Sequence, residues 1–200
     1  MKLYYSPGAC SLSPHIVLCE AGLAHELVKV DLKTKQTEHG DDFNAVNPKG
    51  YVPTLALDDG SVLTEGPAIV QYLADLAPAA GLAPAAGTLD RVRLQEWLNF
   101  ISTELHKSFT PLFQGAPSEW QASVRNGLNK RFGYLAAILE RQPYLMGEDF
   151  SVADAYLFTI LNWTQWVKLD LAAWPALGAY LARVAARPGV QKALKSEGLL

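Results

Sequence analysis

One cysteine stands where its thiol could do chemistry. Cys10 follows Pro7, Gly8 and Ala9, and it comes directly before a pattern that predicts a helix over residues 11–22. The unpaired N–H groups and the dipole at a helix N-terminus favour an anion, and a thiolate is such an anion. The sequence therefore favours a reactive Cys10, with a loop thiol of no role as the alternative.

The second cysteine is predicted to be inert. Cys19 shares an apolar stripe at helical spacing with Ile16 and Leu23, so we expect a buried core residue. Ser13 stands where a C-x-x-C motif would place its second cysteine, so Cys10 has no local resolving thiol. A redox cycle at Cys10 would have to take a thiol from a second molecule, which points to a small thiol cosubstrate.

An acidic residue precedes a second predicted helix. Glu65 stands just before this helix start, with Pro67 suited to the first helical position. Its carboxylate could take an ammonium group, while the N–H groups of Gly66 and Ala68 could face a neighbouring carboxylate. The alternative is a solvated acid in the first turn, stabilised only by the helix dipole.

A polar stripe runs along a predicted helix of the second half. Asn99, Thr103 and His106 follow one another at i, i+4 and i+7, beside an apolar stripe. On that stripe His106 could donate a hydrogen bond to a thiolate. The alternative is an ordinary surface or interface histidine.

These residues need elements to position them. The first half predicts strands at 2–6 and 25–32, two more strands within 51–65, and helices at 11–22 and 65–77. The order β-α-β, loop, β-β-α predicts a small mixed sheet with helices. Val52–Pro53, at the entrance to a strand, is the one natural place for a cis peptide.

The second half has helical periodicity throughout. We expect helices at 89–109, 120–142, 151–167 and 174–187, the third opening with a Ser151-x-x-Asp154 capping box. Pro and Gly recur over residues 77–87 without a stripe. The predicted organisation is an α/β domain over 1–80, a linker over 81–87 and an all-α helical domain over 88–200.

Composition excludes several classes of function. The 200 residues are 50% hydrophobic and carry a net charge of -3 with no dense basic patch, so nucleic-acid binding is not expected. No apolar run is long enough to span a membrane and no signal peptide is recognised, so we expect a cytoplasmic protein. The two cysteines have no histidine at metal-ligand spacing, so no metal site is expected.

Five stretches resemble, in order and spacing, those of bacterial beta-class glutathione S-transferases: MKLYYSPGACSLSPHI, NPKGYVPTL, LTEGPAIVQYLAD, LHK and SVADAYLF. The resemblance covers essentially the whole chain. It implies a thioredoxin-like N-terminal domain, an all-α C-terminal bundle, a glutathione site in the cleft between them, and a homodimer.

The resemblance also implies roles for individual residues. The residue matching Cys10 contacts the glutathione sulfur and can form a mixed disulfide with it, and His106 is the other candidate catalytic residue. The implied glutathione-binding residues are Cys10, Lys35, Val52, Pro53, Glu65, Gly66, Asn99, Thr103, Glu104, Leu105, His106 and Lys107. Tyr5 and Ser11 are also considered, because other classes of the superfamily activate the thiol with a tyrosine or serine hydroxyl.

The implied activity is conjugation of the glutathione thiol to electrophilic, mostly apolar substrates. Glutathione is then a cosubstrate, and no metal is needed. Two alternatives stay open: a glutathione-dependent disulfide reductase or peroxidase that uses Cys10 through a mixed disulfide, and a non-catalytic ligand-binding protein of the same fold. Four aromatic side chains are candidates for the electrophile pocket: Phe109, Phe113, Trp163 and Trp166.

Overall fold

The computed structural model describes every residue from Met1 to Leu200. The chain divides into two units. The first, here the sheet unit, contains Met1–Leu82 together with Arg187–Leu200, and the second, the helical unit, contains Ala83–Ala186. The division after Leu82 falls within the predicted linker.

The sheet unit is built on five strands. They are β1 (Lys2–Tyr5), β2 (Glu26–Asp31), β3 (Gln36–Thr37), β4 (Thr54–Ala56) and β5 (Val62–Thr64). Their order across the sheet is β3-β2-β1-β4-β5, with β1 and β2 parallel and the other neighbours antiparallel. The mixed sheet is as predicted, whereas β3 lies in a stretch that was expected to be loop.

Two helices of the sheet unit follow strands of the sheet. α1 (Leu12–Glu20) connects the parallel strands β1 and β2, and α2 (Gly66–Leu76) follows β5. Leu3, at the centre of β1, pairs with Leu27 on one side and Leu55 on the other, and it is fully buried. The sheet core therefore fixes β1 and β4, whose ends lead into the candidate site.

The predicted extent of the helical domain to residue 200 differs from the structure. A helix that the sequence analysis did not identify, α8 (Pro188–Ser196), groups with the sheet unit and packs on α1. Arg187 Nη2 and Nε donate to the two carboxylate oxygens of Glu20, at 2.7 and 3.2 Å. Nearby, Glu197 accepts a hydrogen bond from His15. These long-range pairs hold the C-terminus on α1, and helical periodicity carries no sign of them.

The helical unit contains α3 (Leu89–Phe100), α4 (Thr110–Phe113), α5 (Ser118–Leu139), α6 (Val152–Trp166) and α7 (Pro175–Ala185). α6 is buried along nearly its whole length, so it forms the centre of this unit. The predicted capping box is confirmed, since the Ser151 N–H donates to Asp154 Oδ2 at 2.9 Å. No helix of the chain is both long and apolar enough to cross a membrane.

One predicted helix, 89–109, is wrong as a single element. The α-helical part ends at Phe100, Ile101–Leu105 is a π-helix, and His106–Phe109 is a 3-10 helix. Two hydroxyls donate to carbonyls four residues earlier, Thr103 to Asn99 and Ser108 to Glu104, a contact that competes with regular helical bonding. The changes in helix type alter the register that the predicted polar stripe assumed.

Candidate functional site

The Cys10 thiol lies against the backbone of Val52. Cys10 Sγ is 3.1 Å from the Val52 carbonyl oxygen and donates to it. Ser11 is fully buried, and its hydroxyl both accepts from the Ser6 N–H at 3.1 Å and donates to the Ser6 carbonyl at 3.3 Å. These two hydrogen bonds with Ser6 therefore hold the loop before α1 together. The Ser11 hydroxyl does not cap the helix.

Tyr5 lies in the sheet core. Its side chain is buried, and burial is the main cause that raises the pKa of its hydroxyl, with a smaller effect of the nearby Glu197 and Glu38 carboxylates. A hydroxyl buried in the sheet core is less accessible to a ligand thiol than the partly exposed Cys10. This favours Cys10 over Tyr5 as the residue for sulfur chemistry.

Val52 precedes a cis peptide bond. The predicted cis bond between Val52 and Pro53 is confirmed. Asn47 holds this turn in place, because its side-chain amide donates to the Tyr51 carbonyl and to Thr54 Oγ1, both at 2.9 Å. The turn therefore presents the Val52 backbone in a fixed position at the entrance to β4.

Lys35 is brought to the same turn. Its ammonium donates to the Gly50 carbonyl at 2.7 Å, and its main chain is tied at both ends by bonds to Asp31 and Phe43. Lys35 also has a positive φ of 60°, which is uncommon for a residue other than glycine. Hydrogen bonds therefore hold the loop that carries Lys35 in place. The Lys35 amine contacts Gly50, which stands two residues before Val52 in the chain.

Glu65 stands at the start of α2 with a positive φ of 67°. Its Oε1 accepts from Lys49 Nζ at 3.0 Å and from the Tyr51 hydroxyl at 2.8 Å. These hydrogen bonds are the largest cause that raises the pKa of both donors. Glu65 is therefore the centre of a small polar network on the surface, not a solvated acid that interacts only with the helix dipole.

The start of α2 lies close to the cis-proline turn and to the start of α1. A β-carbon on Gly66 would lie 3.8 Å from Pro53 Cγ and 4.0 Å from Ser13 Oγ, so Gly66 lies close to both the cis-proline turn and α1. The expectation for Ala68 is wrong, because its N–H already donates to the Glu65 carbonyl at 3.0 Å. For the Gly66 N–H, the expectation stays a prediction.

Six predicted residues are thus brought together within the sheet unit, by three contacts: thiol to Val52, Lys35 to Gly50, and Gly66 to Pro53. These six are Cys10, Lys35, Val52, Pro53, Glu65 and Gly66. The arrangement offers a thiol, an extended backbone segment, a carboxylate and a helix start. It suits a peptide-like ligand with its own thiol, ammonium and carboxylate groups.

His106, in the helical unit, is held by aromatic residues of α6. Its Nδ1 lies 2.6 Å from the Tyr156 hydroxyl, and its ring packs edge-on against Trp163 with centroids 4.9 Å apart. When Tyr156 donates to Nδ1, the ring proton lies on Nε2, which is then a hydrogen-bond donor. The change of helix type places His106 on these α6 residues and off the exposed face of Asn99 and Thr103.

The other predicted residues of this stretch have different environments. Glu104 is paired with Arg131, whose Nε donates to Glu104 Oε2 at 2.8 Å and whose Nη2 contacts the same oxygen. Leu105 is fully buried, so its side chain belongs to the core. Asn99, Thr103 and Lys107 are exposed.

The four predicted aromatic residues form one cluster with unequal exposure. Phe113 lies 5.4 Å from Trp163 and 6.4 Å from Trp166 between ring centroids, and Phe109 lies 5.7 Å from Trp163. Phe109 and Trp163 are buried, whereas Phe113 is 47% exposed and Trp166 is 53% exposed. Phe113 and Trp166 are therefore the members of the cluster that can meet an apolar ligand directly.

Sequence reasoning missed the partners of the predicted residues. Lys49 and Tyr51 flank Gly50 just before Val52, so their position in the NPKGYVP stretch was a usable signal. Tyr156 and Arg131 are 50 and 27 residues from the side chains they hold. No local spacing rule predicts such contacts.

Two sequence families match the chain. The glutathione S-transferase N-terminal domain matches residues 8–76, and the glutathione S-transferase C-terminal domain matches residues 100–188. The glutathione S-transferase GstA of Escherichia coli O157:H7 is 51% identical over the full length of both chains. The chain therefore belongs to the glutathione S-transferase family.

Solved structures agree with this assignment. BphK, a bacterial glutathione S-transferase solved as a ternary complex, is 60% identical over all of both chains, with a TM-score of 0.98. A bacterial beta-class enzyme from Sphingomonas chungbukensis is 51% identical over all of both chains, with a TM-score of 0.97. The resemblance to beta-class enzymes, the thioredoxin-like domain with a helical C-terminal domain, and the assignment as a glutathione transferase are confirmed.

The polar network at Glu65 generates a pH prediction. Glu65→Gln is expected to lower the pKa of the Tyr51 hydroxyl towards its ordinary value, because ionised Tyr51 would no longer face a carboxylate. Titration of the tyrosine ring carbons by NMR measures this directly. Glu148→Gln, at an exposed acid elsewhere, serves as the control. An unchanged Tyr51 titration in Glu65→Gln would contradict the network.

Proposed function

We propose that the chain joins the thiol of glutathione to small electrophilic, mostly apolar substrates. The observation that carries this proposal is the contact between Cys10 Sγ and the Val52 carbonyl, beside the cis-proline turn. Family membership supports it, as does a sphingomonad glutathione S-transferase solved with glutathione, which is 51% identical with a TM-score of 0.94 over all of both chains.

Glutathione is proposed to pair with the Val52 backbone through its cysteinyl unit. The Val52 carbonyl, which accepts from the Cys10 thiol, would then accept the cysteinyl N–H instead. This exchange would free Cys10 Sγ–H to donate to the glutathione sulfur. The fixed turn supports the role, because a preformed backbone costs little ordering on binding.

The γ-glutamyl end is proposed to lie at the start of α2. Glu65 accepts the α-ammonium group, in a cluster that already holds two hydrogen-bond donors, Lys49 and Tyr51. A carboxylate has several lone pairs and can accept more than one donor. The α-carboxylate of the ligand is left to the Gly66 N–H and the positive end of the helix.

Lys35 is proposed to serve the glycyl carboxylate. Its ammonium has three donors, and one of them is directed to the Gly50 carbonyl. The ligand carboxylate can therefore share this ammonium without displacing the contact. Exposed Lys107 is proposed as a weaker, solvated attraction for the same negative charge.

The chemical step needs glutathione as the thiolate. The glutathione sulfur gives up its proton to solvent and attacks the electrophilic carbon, so that a C–S bond forms as the leaving group departs with its electron pair. Hydrogen-bond donors stabilise the thiolate, and Cys10 Sγ–H is the donor of the sheet unit. His106, with its ring oriented by Tyr156, is the proposed donor of the helical unit.

The helical unit is proposed to supply apolar surroundings for the electrophile. Phe113 and Trp166 are the exposed members of its aromatic cluster. Polar contacts to glutathione are proposed for four neighbouring residues of this unit: Asn99, Thr103, Glu104 and, through its backbone, Leu105. Aromatic faces bind flat apolar molecules with little selectivity, in keeping with a broad electrophile class.

A redox activity is the second candidate, and Cys10 favours it. In that reaction the Cys10 thiolate attacks the glutathione sulfur of a mixed disulfide and releases the substrate thiol. A second glutathione then attacks the Cys10 mixed disulfide, which restores the Cys10 thiol and yields oxidised glutathione. A non-catalytic binding protein has less support, since it needs neither Cys10 nor the Glu65 network.

The two activities separate in Cys10→Ala. We expect conjugation to keep at least about a tenth of its rate, because a thiol is a weak hydrogen-bond donor and the loss of its bond costs about 1 kcal/mol. Glutathione-dependent disulfide reduction should fall to background, because only that reaction needs a protein sulfur. Steady-state assays of both reactions, with Cys19→Ala as the control, measure this. Reductase activity that survives in Cys10→Ala would refute the role of Cys10, and equal loss of both activities would make Cys10 essential for conjugation as well.

A homodimer in the cytoplasm is also proposed. The full-length match to bacterial transferases supports the dimer, and neither cysteine forms a disulfide, which suits a reducing compartment. Light scattering at micromolar concentration should give twice the mass of the chain, and a monomer mass would contradict the dimer. Fractionation that finds the protein in the periplasm or the medium would contradict the compartment.

A further inference from the structure

A second cluster of reactive side chains lies in the sheet unit, outside the proposed glutathione site. His15 and Cys19 are four residues apart on α1, and His25 precedes β2. One ring nitrogen of each histidine and Cys19 Sγ all lie within 4.8 Å of one another. Cys19 is only partly buried, so the expectation of a buried core residue is wrong.

Hydrogen bonds fix which ring nitrogen of each histidine is available. His25 Nδ1 lies 2.8 Å from the Leu23 carbonyl, an acceptor only, so this nitrogen carries the proton. His15 Nδ1 lies 2.8 Å from Glu197 Oε1, and a carboxylate likewise requires the proton on Nδ1. In both neutral rings the lone pair is therefore on Nε2, the arrangement found in metal-binding histidines.

We propose that His15, Cys19 and His25 bind one Zn²⁺ ion, with water as the fourth ligand. Two imidazole nitrogens and one thiolate suit a borderline-soft cation such as zinc, whereas Mg²⁺ and Ca²⁺ prefer oxygen ligands. Cys19 and His25 are partly exposed, which gives the ion access, and His15 forms the buried end of the site.

The geometry needs only a small contraction. Zinc–nitrogen and zinc–sulfur bonds of about 2.0 and 2.3 Å in a tetrahedron place neighbouring ligand atoms about 3.5 Å apart. The three ligand atoms, now within 4.8 Å of one another, would have to approach by up to about 1.3 Å when the ion binds. Glu197 stays outside the ligand set, because its other oxygen accepts from the Gly8 N–H at 2.8 Å. It orients His15, as carboxylates do behind zinc-bound histidines.

The surrounding charges set the conditions for binding. Burial is the main cause that lowers the pKa of His25, and His15, Lys192 and the N-terminal amine add to this effect. Burial raises the pKa of the Cys19 thiol, which also faces Lys192, Glu20 and Glu197. A zinc-bound Cys19 is a thiolate, so zinc binding releases the Cys19 proton to solvent. Lys192 and the N-terminal amine oppose the cation, while Glu20 and Glu197 favour it.

Equilibrium dialysis against micromolar ZnCl₂ tests the site. The protein should be tag-free, fully reduced and free of glutathione, since glutathione itself binds zinc through its thiol. We expect one zinc per chain, and an excess of MgCl₂ should not displace it. Cys19→Ser and His25→Gln should each weaken zinc binding at least about tenfold, a loss of the size seen when even an outer partner of a metal site is removed.

Matched controls separate this site from Cys10 and from the surface. Cys10→Ser and His39→Gln, the latter at an exposed histidine, should bind zinc as the wild type does. With Co²⁺ in place of Zn²⁺, a thiolate-to-cobalt charge-transfer band should appear in wild type and Cys10→Ser but not in Cys19→Ser. Circular dichroism of each variant confirms that it is folded.

Three results would overturn the proposal. They are no zinc bound by the folded wild type at micromolar concentration, undiminished binding in both Cys19→Ser and His25→Gln, and loss of binding in Cys10→Ser. None of them bears on glutathione conjugation, so this proposal and the proposed function fail separately.

Discussion

The fixed carbonyl of Val52 is the contact on which the candidate site depends. Asn47 holds the turn from one side, β4 continues from the other, and the Cys10 thiol donates to the carbonyl between them. The same carbonyl can accept a peptide N–H. A thiol ligand that pairs with Val52 would therefore displace Cys10 Sγ from this carbonyl and would leave the rest of the turn in place. In the proposed binding mode, the ligand sulfur would therefore lie beside Cys10 Sγ before any chemistry takes place.

Glu65 adds charge to this arrangement at a cost in backbone energy. A positive φ at a residue other than glycine costs about 1–3 kcal/mol, and such residues cluster at functional sites. Two of the three residues of this kind, Lys35 and Glu65, belong to the candidate site, and the third is Lys168. Hydrogen bonds from Lys49 and Tyr51 partly offset the strain at Glu65 and hold its carboxylate in place.

Local patterns predicted the parts of this protein that local physics determines. The periodicity of α6, its capping box, the cis-proline turn and the helix start after Glu65 were all readable from neighbouring residues. The placement of α8 depends instead on pairs such as Glu20 with Arg187, 167 residues apart. The contact of Tyr156 with His106, 50 residues apart, arises in the same way, from packing that no short window of sequence contains.

In the proposed binding mode, the sheet unit holds glutathione through the carboxylate of Glu65. Calorimetric titration of glutathione into Glu65→Gln tests it most directly, because this variant keeps the side-chain shape and removes only the charge. A charge-assisted hydrogen bond contributes about 1.5–3 kcal/mol, so its loss should weaken the affinity for glutathione about ten- to hundred-fold. Glu140→Gln, at an exposed acid of the helical unit, should bind glutathione as the wild type does. An affinity of Glu65→Gln equal to that of the wild type would contradict the account.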